Sequence, residues 1–180
     1  MGRRYHFDQG RHKWCKSSLL IDLDMASFRQ DKKGKEQRER ITGTIKYMAL
    51  ERLKAIKKKE NTLKQTYRHD LGSFFYVLTV GCMSYGRESA PEHLHQWSSA
   101  STRLEAKGYH IQTQFRKYII NYFTPMFEGI EELAWSLRKI LFEDKWMGCG
   151  TPKEPDVLYD PIIRAFDDTI KKLEDGKVFN

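Results

Sequence analysis

Residues 66–78 read Thr-Tyr-Arg-His-Asp-Leu-Gly-Ser-Phe-Phe-Tyr-Val-Leu, and this stretch does most to decide the fold class of the chain. Apolar residues recur here at the i, i+3, i+4 and i+7 spacing of one helix face, which predicts a helix packed against a core. The stripe consists of Leu71, Phe74, Phe75, Leu78 and Cys82. Because nearly every position from 74 to 80 is apolar, this helix is predicted to be central.

Two more helices are predicted towards the C-terminus. The first carries an apolar stripe made of Ile130, Leu133, Ala134, Leu137, Ile140 and Leu141. Asp160-Pro161 predicts the start of the second, since aspartate can cap free backbone N–H groups and proline is tolerated at the first helical position. Its buried face would consist of Ile162, Ile163, Phe166 and Ile170.

The residues before position 66 are more varied. Residues 48–58 predict a short helix, residues 28–42 are polar and predict an exposed loop, and the apolar run at 19–21 predicts a minimal buried strand. Residues 1–17 form a poorly specified lead-in to a domain over residues 18–180. The predicted fold is mainly α, with a short β segment followed by a helical bundle.

The composition describes a chain with a core and no membrane span. Hydrophobic residues make up 39% and charged residues 31%, and the apolar runs stop far short of the roughly 20 residues that a spanning helix needs. No secretory signal is visible, and the three cysteines are far apart without a Cys-x-x-Cys pair. These features predict an intracellular protein, cytoplasmic or nuclear, without membrane partners.

The net charge of +8 is concentrated in one segment. Residues 29–64 hold 13 Lys and Arg against 5 Asp and Glu, whereas the charges of the flanking residues nearly cancel. A nucleic-acid-binding face usually gathers basic residues from several elements. The pattern therefore argues against a nucleic-acid partner and favours a solvated stretch.

Three motifs follow one another along the chain. Asp22 comes after the predicted strand, residues 43–51 read Gly-Thr-Ile-Lys-Tyr-Met-Ala-Leu-Glu, and Asp70 opens the central helix. This order resembles the protein kinase arrangement of a metal-binding aspartate after a strand, an activation segment and an Ala-Pro-Glu-like close. The resemblance implies a kinase C-terminal lobe whose activation segment occupies about residues 22–51.

The string at residues 66–78 is similar to one branch, the fungal-type protein kinases. Their corresponding helix carries Tyr-Arg-His-Asp-Leu-(Glu)-Ser-Phe-Phe-Tyr-Val-Leu, and Gly72 stands where that family usually has an acid. The likeness covers Ser18 to about Lys107. It implies ATP-dependent phosphoryl transfer to Ser or Thr of a protein substrate, with ATP and Mg²⁺ as cofactors.

The resemblance also implies roles for individual residues. Asp22 would bind the metal, and Gly43, Thr44, Tyr47 and Met48 would form the platform under the protein substrate. Two further residues would be structural. Glu51 would anchor the segment through a buried arginine, with Arg138 and Arg164 as candidates, and Asp70 would hold the backbone of the catalytic loop.

Plainer interpretations stay open for two of these residues. An aspartate after a strand is often a turn former or a helix cap, which applies to Asp22. Asp70 could likewise be a simple N-cap of the helix that it opens.

Much of the phosphoryl-transfer machinery has no counterpart in these 180 residues. They contain no Gly-x-Gly-x-x-Gly loop, no Val-Ala-Ile-Lys strand and no His-Arg-Asp catalytic loop with its asparagine. His6-Phe7-Asp8 is the nearest substitute, but Lys13 stands where the asparagine belongs. We therefore expect a truncated, inactive kinase domain, or alternatively a non-catalytic kinase-like scaffold that binds a protein partner.

Overall fold

The computed structural model describes residues 44–60, 63, 65–142 and 150–176, all of which lie in the compact unit Arg38–Asn180. Every regular element in these ranges is helical, which confirms the prediction of a mainly α chain. The predicted strand at 19–21, the loop at 28–42 and the lead-in at 1–17 lie outside the described ranges.

Six α-helices lie in this part of the chain. They are α1 (Leu50–Lys58), α2 (Tyr67–Ser84), α3 (Arg103–Gly108), α4 (Phe115–Tyr118), α5 (Glu131–Phe142) and α6 (Asp156–Glu174). Short 3-10 turns occur at Ile45–Tyr47, Glu92–Trp97, Ile120–Tyr122 and Pro125–Phe127, and a π turn at Tyr109–Thr113 continues α3.

Helix α2 begins with a cap at Thr66. The Thr66 N–H donates to Nδ1 of His69 at 3.0 Å, so a histidine occupies the position that glutamate or glutamine takes in a capping box. Burial lowers the pKa of His69, which favours the neutral ring that can accept this bond. The interpretation of Asp70 as the N-cap is therefore wrong, because Asp70 lies inside the first turn.

The buried face of α2 agrees with the predicted stripe at Phe75 and Cys82 and differs from it at Phe74. Phe74 is 47% exposed and Val77 is 51% exposed, whereas Tyr76 and Thr79 are fully buried. After the first turn, the buried residues of α2 are Gly72, Phe75, Tyr76, Thr79, Val80, Cys82 and Met83. The helix is apolar around most of its circumference, so its periodicity alone could not select the face that the neighbouring helices cover.

The core lies where α5 packs against α2 and α6. The ring of Phe75 is 6.0 Å from that of Phe115 and 5.2 Å from that of Phe142, between centroids. The predicted stripe of α5 is confirmed, since Leu133, Ala134, Leu137 and Leu141 are buried and its other two residues are partly buried against the core. Cys82 is also buried, as predicted, and burial raises the pKa of its thiol to about 11.

Helix α6 begins earlier than predicted, at Asp156, so Pro161 lies inside the helix. Proline removes one backbone hydrogen bond there. The first turn is held by tertiary contacts instead: Leu158 is buried, and the ring of Tyr159 stacks on Tyr67 at 5.8 Å between centroids. These contacts offset the hydrogen bond that the proline cannot make.

No helix in the described ranges is long and apolar enough to span a membrane.

Candidate functional site

The predicted metal ligand Asp22 and the four predicted platform residues divide into those outside and those inside the described ranges. Asp22 and Gly43 lie outside the described residues. Thr44, Tyr47 and Met48 lie in residues 44–48, called here the platform segment. Its single 3-10 turn is closed by the Tyr47 N–H, which donates to the Thr44 carbonyl at 2.9 Å. Thr44 is exposed and Met48 is buried, so the segment has one solvent face and one packed end.

Lys107 is hydrogen-bonded to the backbone of the platform segment. Its Nζ donates to the carbonyl oxygens of Lys46 and Met48, at 2.7 Å each, from a side chain that is fully buried. Helix α3 supplies this lysine 59 and 61 positions further along the chain. The sequence alone does not predict this role, because nothing in the local pattern distinguishes Lys107 from a surface lysine.

Two aromatic faces surround the Lys107 ammonium group. Its Nζ lies 3.6 Å from the ring centroid of Tyr76 and 5.2 Å from that of Trp97, which is fixed by a 3.0 Å bond from its Nε1 to His110. Burial lowers the pKa of Lys107 to about 6, while the carbonyls and rings favour the charged form. Either form can donate two N–H bonds, so the contact to the platform segment does not depend on the charge.

A second anchor follows immediately in the sequence. Glu51, in the first turn of α1, pairs with Arg68 in the first turn of α2, with 2.6 Å between its Oε1 and the arginine Nη2. The Arg68 side chain is 8% exposed and that of Glu51 is 28% exposed. Glu51 is therefore tied to a buried arginine, as expected, but the two candidates named from the sequence are wrong.

Those two candidates have other surroundings. Arg138 donates its Nε to the Ile111 carbonyl at 2.6 Å. Arg164 is exposed and lies 4.0 Å from Asp160, one turn away on α6. Arg68 belongs to the decisive string at 66–78, but its partner could be identified only after α1 and α2 were placed together.

The anchor carries more positive than negative charge. Arg52 is only 4% exposed and its Nη1 has no hydrogen-bond partner among the described residues, and the same holds for Nε of Arg68. The nearby hydroxyl of Tyr76 is also unpartnered, and burial raises its pKa well above the usual range. Glu51 pairs with Arg68, whereas Arg52 makes no ion pair with any described residue, and an unpaired buried charge is costly.

Gly72 lies next to this excess charge. It is buried, four residues after Arg68 on α2, and a Cβ atom there would be in ordinary contact with Cβ of Ala49 at 3.8 Å. Ala49 precedes Arg52 by three residues at the start of α1. The position where the similar kinases usually have an acid therefore lies one helical turn after Arg68 and against the residue that precedes Arg52 by three.

Replacing Gly72 by glutamate is expected to raise the free energy of unfolding by about 2 kcal/mol. Removing a helical glycine contributes about 1 kcal/mol, and a carboxylate beside Arg52 contributes a further ~1 kcal/mol. Urea denaturation of the purified chain measures the difference. Gly72→Ala is the matched control for helix propensity, and a glutamate variant no more stable than the alanine variant would refute the pairing with Arg52.

Asp70 is exposed on α2, where its carboxylate accepts a hydrogen bond from Nε2 of Gln65. Its role in holding a catalytic loop stays a prediction. The described residues contain no group of three or more His, Cys, Asp or Glu side chains that could hold a metal ion. The metal role of Asp22 lies outside these residues and also stays a prediction.

Comparison with protein families gives one match. The fungal protein kinase family model matches residues 8–82, a range that includes Asp22, the platform segment, Glu51 and Asp70. The match ends within α2, so Lys107 and helices α3 to α6 lie beyond it. No curated protein and no solved structure matches the chain.

Proposed function

We propose that the chain belongs to the fungal protein kinase family, whose model matches residues 8–82, and that it contains the activation segment and C-terminal lobe of a protein kinase domain. The proposed activation segment occupies about residues 22–51, within a partial domain at 18–180. The proposed reaction of the complete domain is phosphoryl transfer from ATP to Ser or Thr of a protein substrate.

The double anchoring of the platform segment carries this proposal. Lys107 fixes two of its carbonyl oxygens, and the Glu51–Arg68 pair fixes the start of the helix that follows it. Phosphoryl transfer depends on positioning, and a misplacement of about 1 Å can cost two orders of magnitude in rate. A short segment held at both ends, with an exposed face at Thr44, suits a surface that positions a protein substrate.

We propose that these 180 residues do not catalyse the transfer by themselves. Asp22 would contribute a carboxylate to Mg²⁺, which neutralises charge on the nucleotide phosphates. Mg²⁺ usually takes six oxygen ligands, and a nucleotide also needs the Gly-rich loop and strand lysine that the sequence lacks. ATP and Mg²⁺ are therefore proposed as cofactors of the family domain rather than as ligands that this chain retains.

A thermal-shift assay tests whether the chain binds ATP and Mg²⁺, and a phosphate-transfer assay tests whether it is catalytically active. The purified chain is expected to show no rise in Tm with Mg²⁺ and ATP and no transfer of labelled phosphate to a generic protein substrate. Asp22→Asn is the matched control and should melt like the parent chain with and without nucleotide. A nucleotide-dependent rise in Tm that Asp22→Asn abolishes would contradict the proposal of an inactive chain.

One observation favours the alternative function of a non-catalytic scaffold. Phe74 and Val77 on α2 and Ile163 and Ile170 on α6 are each about half exposed, and the ring of Phe74 lies 6.2 Å from that of Phe166. The ring contact places the exposed apolar residues of the two helices side by side. Contiguous apolar surface of this kind marks a protein interface.

The scaffold function predicts that the purified chain self-associates or precipitates unless a protein covers this surface. Light scattering after size exclusion measures the molar mass directly. Val77→Lys should increase the monomer fraction, whereas Lys139→Ala, which changes an exposed residue of α5, should not. A parent chain that is a stable, monodisperse monomer at high concentration would argue against the scaffold.

A further inference from the structure

A cationic pocket lies on the surface formed by α4, α5 and the turn between α3 and α4. It has a volume of about 320 Å³, and its lining includes Arg116, Lys117 and Arg138 but no carboxylate among the described residues. The volume lies at the lower end of the range for small-ligand pockets. Three cations around one small space make a site for a compact anionic group.

Arg138 is preorganised in this pocket. Its Nε donates to the Ile111 carbonyl at 2.6 Å and its Nη2 donates to the Gln112 carbonyl. The guanidinium carbon also lies 5.5 Å from the ring centroid of Phe115 and 5.3 Å from that of Trp135. A guanidinium has five N–H donors, so three remain for a ligand after these two bonds.

The other two cations are exposed and have no acidic partner in the described part of the chain. Arg116 makes no ion pair there, and the Nζ of Lys117 lies 5.2 Å from the ring centroid of its neighbour Tyr118. Both can therefore turn towards an anion held by Arg138. Phosphate sites often combine arginine, whose planar guanidinium can donate two parallel hydrogen bonds, with lysine, whose ammonium is a mobile point charge. The same combination is present here.

We propose that this pocket binds a phosphorylated side chain of a protein segment. A phosphate monoester carries close to two negative charges and three acceptor oxygens, which match the Arg138 fork and the two flanking cations. The side-chain amides of Gln114 and Asn121 also line the pocket and can pair with peptide groups on either side of the phosphorylated residue.

The aromatic residues argue for a peptide over a single-stranded nucleic acid. The rings of Phe115 and Trp135 pack edge to face at 4.9 Å between centroids, and both contact the Arg138 guanidinium. Base binding relies on open aromatic faces for stacking. Here the rings serve to hold the arginine.

Binding of a phosphorylated side chain does not require phosphoryl transfer by this chain. The experiments below therefore test it independently of the proposed function.

Fluorescence anisotropy with the 180-residue chain tests the proposal. The probes are two labelled peptide pools with random flanks, one with a central phosphoserine and one with serine. The phosphoserine pool is expected to bind at least about tenfold more tightly, because a charge-assisted hydrogen bond is worth roughly a factor of ten or more. Equal affinities for the two pools would overturn the proposal.

Variants locate the binding. Arg116→Ala and Lys117→Ala should each weaken the phosphoserine pool about tenfold, since each removes one charged contact. Arg164→Ala on α6 is the matched control and should leave the affinity unchanged, with circular-dichroism melting to verify that all variants fold. Unchanged affinity in the Arg116→Ala/Lys117→Ala double variant would show that the pocket is not the site.

Two competitors distinguish other sources of the anion. Inorganic phosphate should displace the peptide only at concentrations at least about tenfold higher, and an oligouridine RNA should not displace it. Displacement by inorganic phosphate at equal concentration would assign the pocket to the free anion. Displacement by the RNA would assign it to nucleic acid, and either result would overturn the proposal.

Discussion

Replacing Glu51 by alanine is expected to lower the free energy of unfolding by about 3 kcal/mol. The change leaves Arg68 buried without its carboxylate partner, and breaking a buried ion pair costs about 3–5 kcal/mol. The lower end of that range applies because Glu51 is 28% exposed and water screens part of the interaction. Urea denaturation of the purified chain measures the loss.

Two further variants separate the ion pair from general effects on α1. Glu60→Ala removes an exposed acid that lies 3.6 Å from Lys58 just after the same helix, and it should change stability by less than about 0.5 kcal/mol. Arg68→Leu combined with Glu51→Ala should be less destabilised than the sum of the two single changes, because the double variant removes both members of the pair. Additive losses would show that the pair contributes little.

Replacing Lys107 by alanine is expected to cost about 4 kcal/mol. The change removes a fully buried aliphatic stem, and it leaves the carbonyl oxygens of Lys46 and Met48 without their donor. The backbone amides of the platform segment should also exchange with solvent faster, since the segment loses its contact with α3. Denaturation and hydrogen exchange measure these two effects separately.

The variant Lys107→Met separates the contribution of packing to the free energy of unfolding from the contribution of hydrogen bonding. Methionine keeps most of the buried volume but donates no hydrogen bond, so we expect a loss of about 2 kcal/mol with the same increase in exchange at the platform segment. Lys139→Ala, at an exposed position of α5, should change neither quantity. A methionine variant as stable as the parent, with unchanged exchange, would show that the ammonium group does not hold the segment.

Local patterns predicted several elements of this chain correctly. The short helix α1 and the apolar stripe of α5 follow from spacing, and the motif order from Asp22 to Asp70 led to the kinase family that residues 8–82 match. The pairing of Glu51 with an arginine was expected from the resemblance. These features depend on residues that are near each other in sequence or on motifs whose order along the chain can be read directly.

The buried face of α2 and the start of α6 could not be predicted from the sequence, because tertiary contacts decide both. An all-round apolar helix has no preferred face until its neighbours are placed, so Tyr76 and Thr79 of α2 are buried while Phe74 and Val77 are exposed. Likewise, Asp160-Pro161 suggests a helix start only until the stacking of Tyr159 on Tyr67 extends α6 backwards. Tertiary contacts outweighed the local signal in both cases.

The sequence by itself determined the family motifs, the helical class and the residues available for the platform segment. Only the tertiary structure selected Arg68 over Arg138 and Arg164 as the partner of Glu51, and it alone brought Lys107 under the carbonyls of Lys46 and Met48. The physical reason is that burial turns an ordinary surface-type lysine into a fixed donor. Burial depends on the packing of α3 against the segment, which lies about sixty positions earlier in the chain.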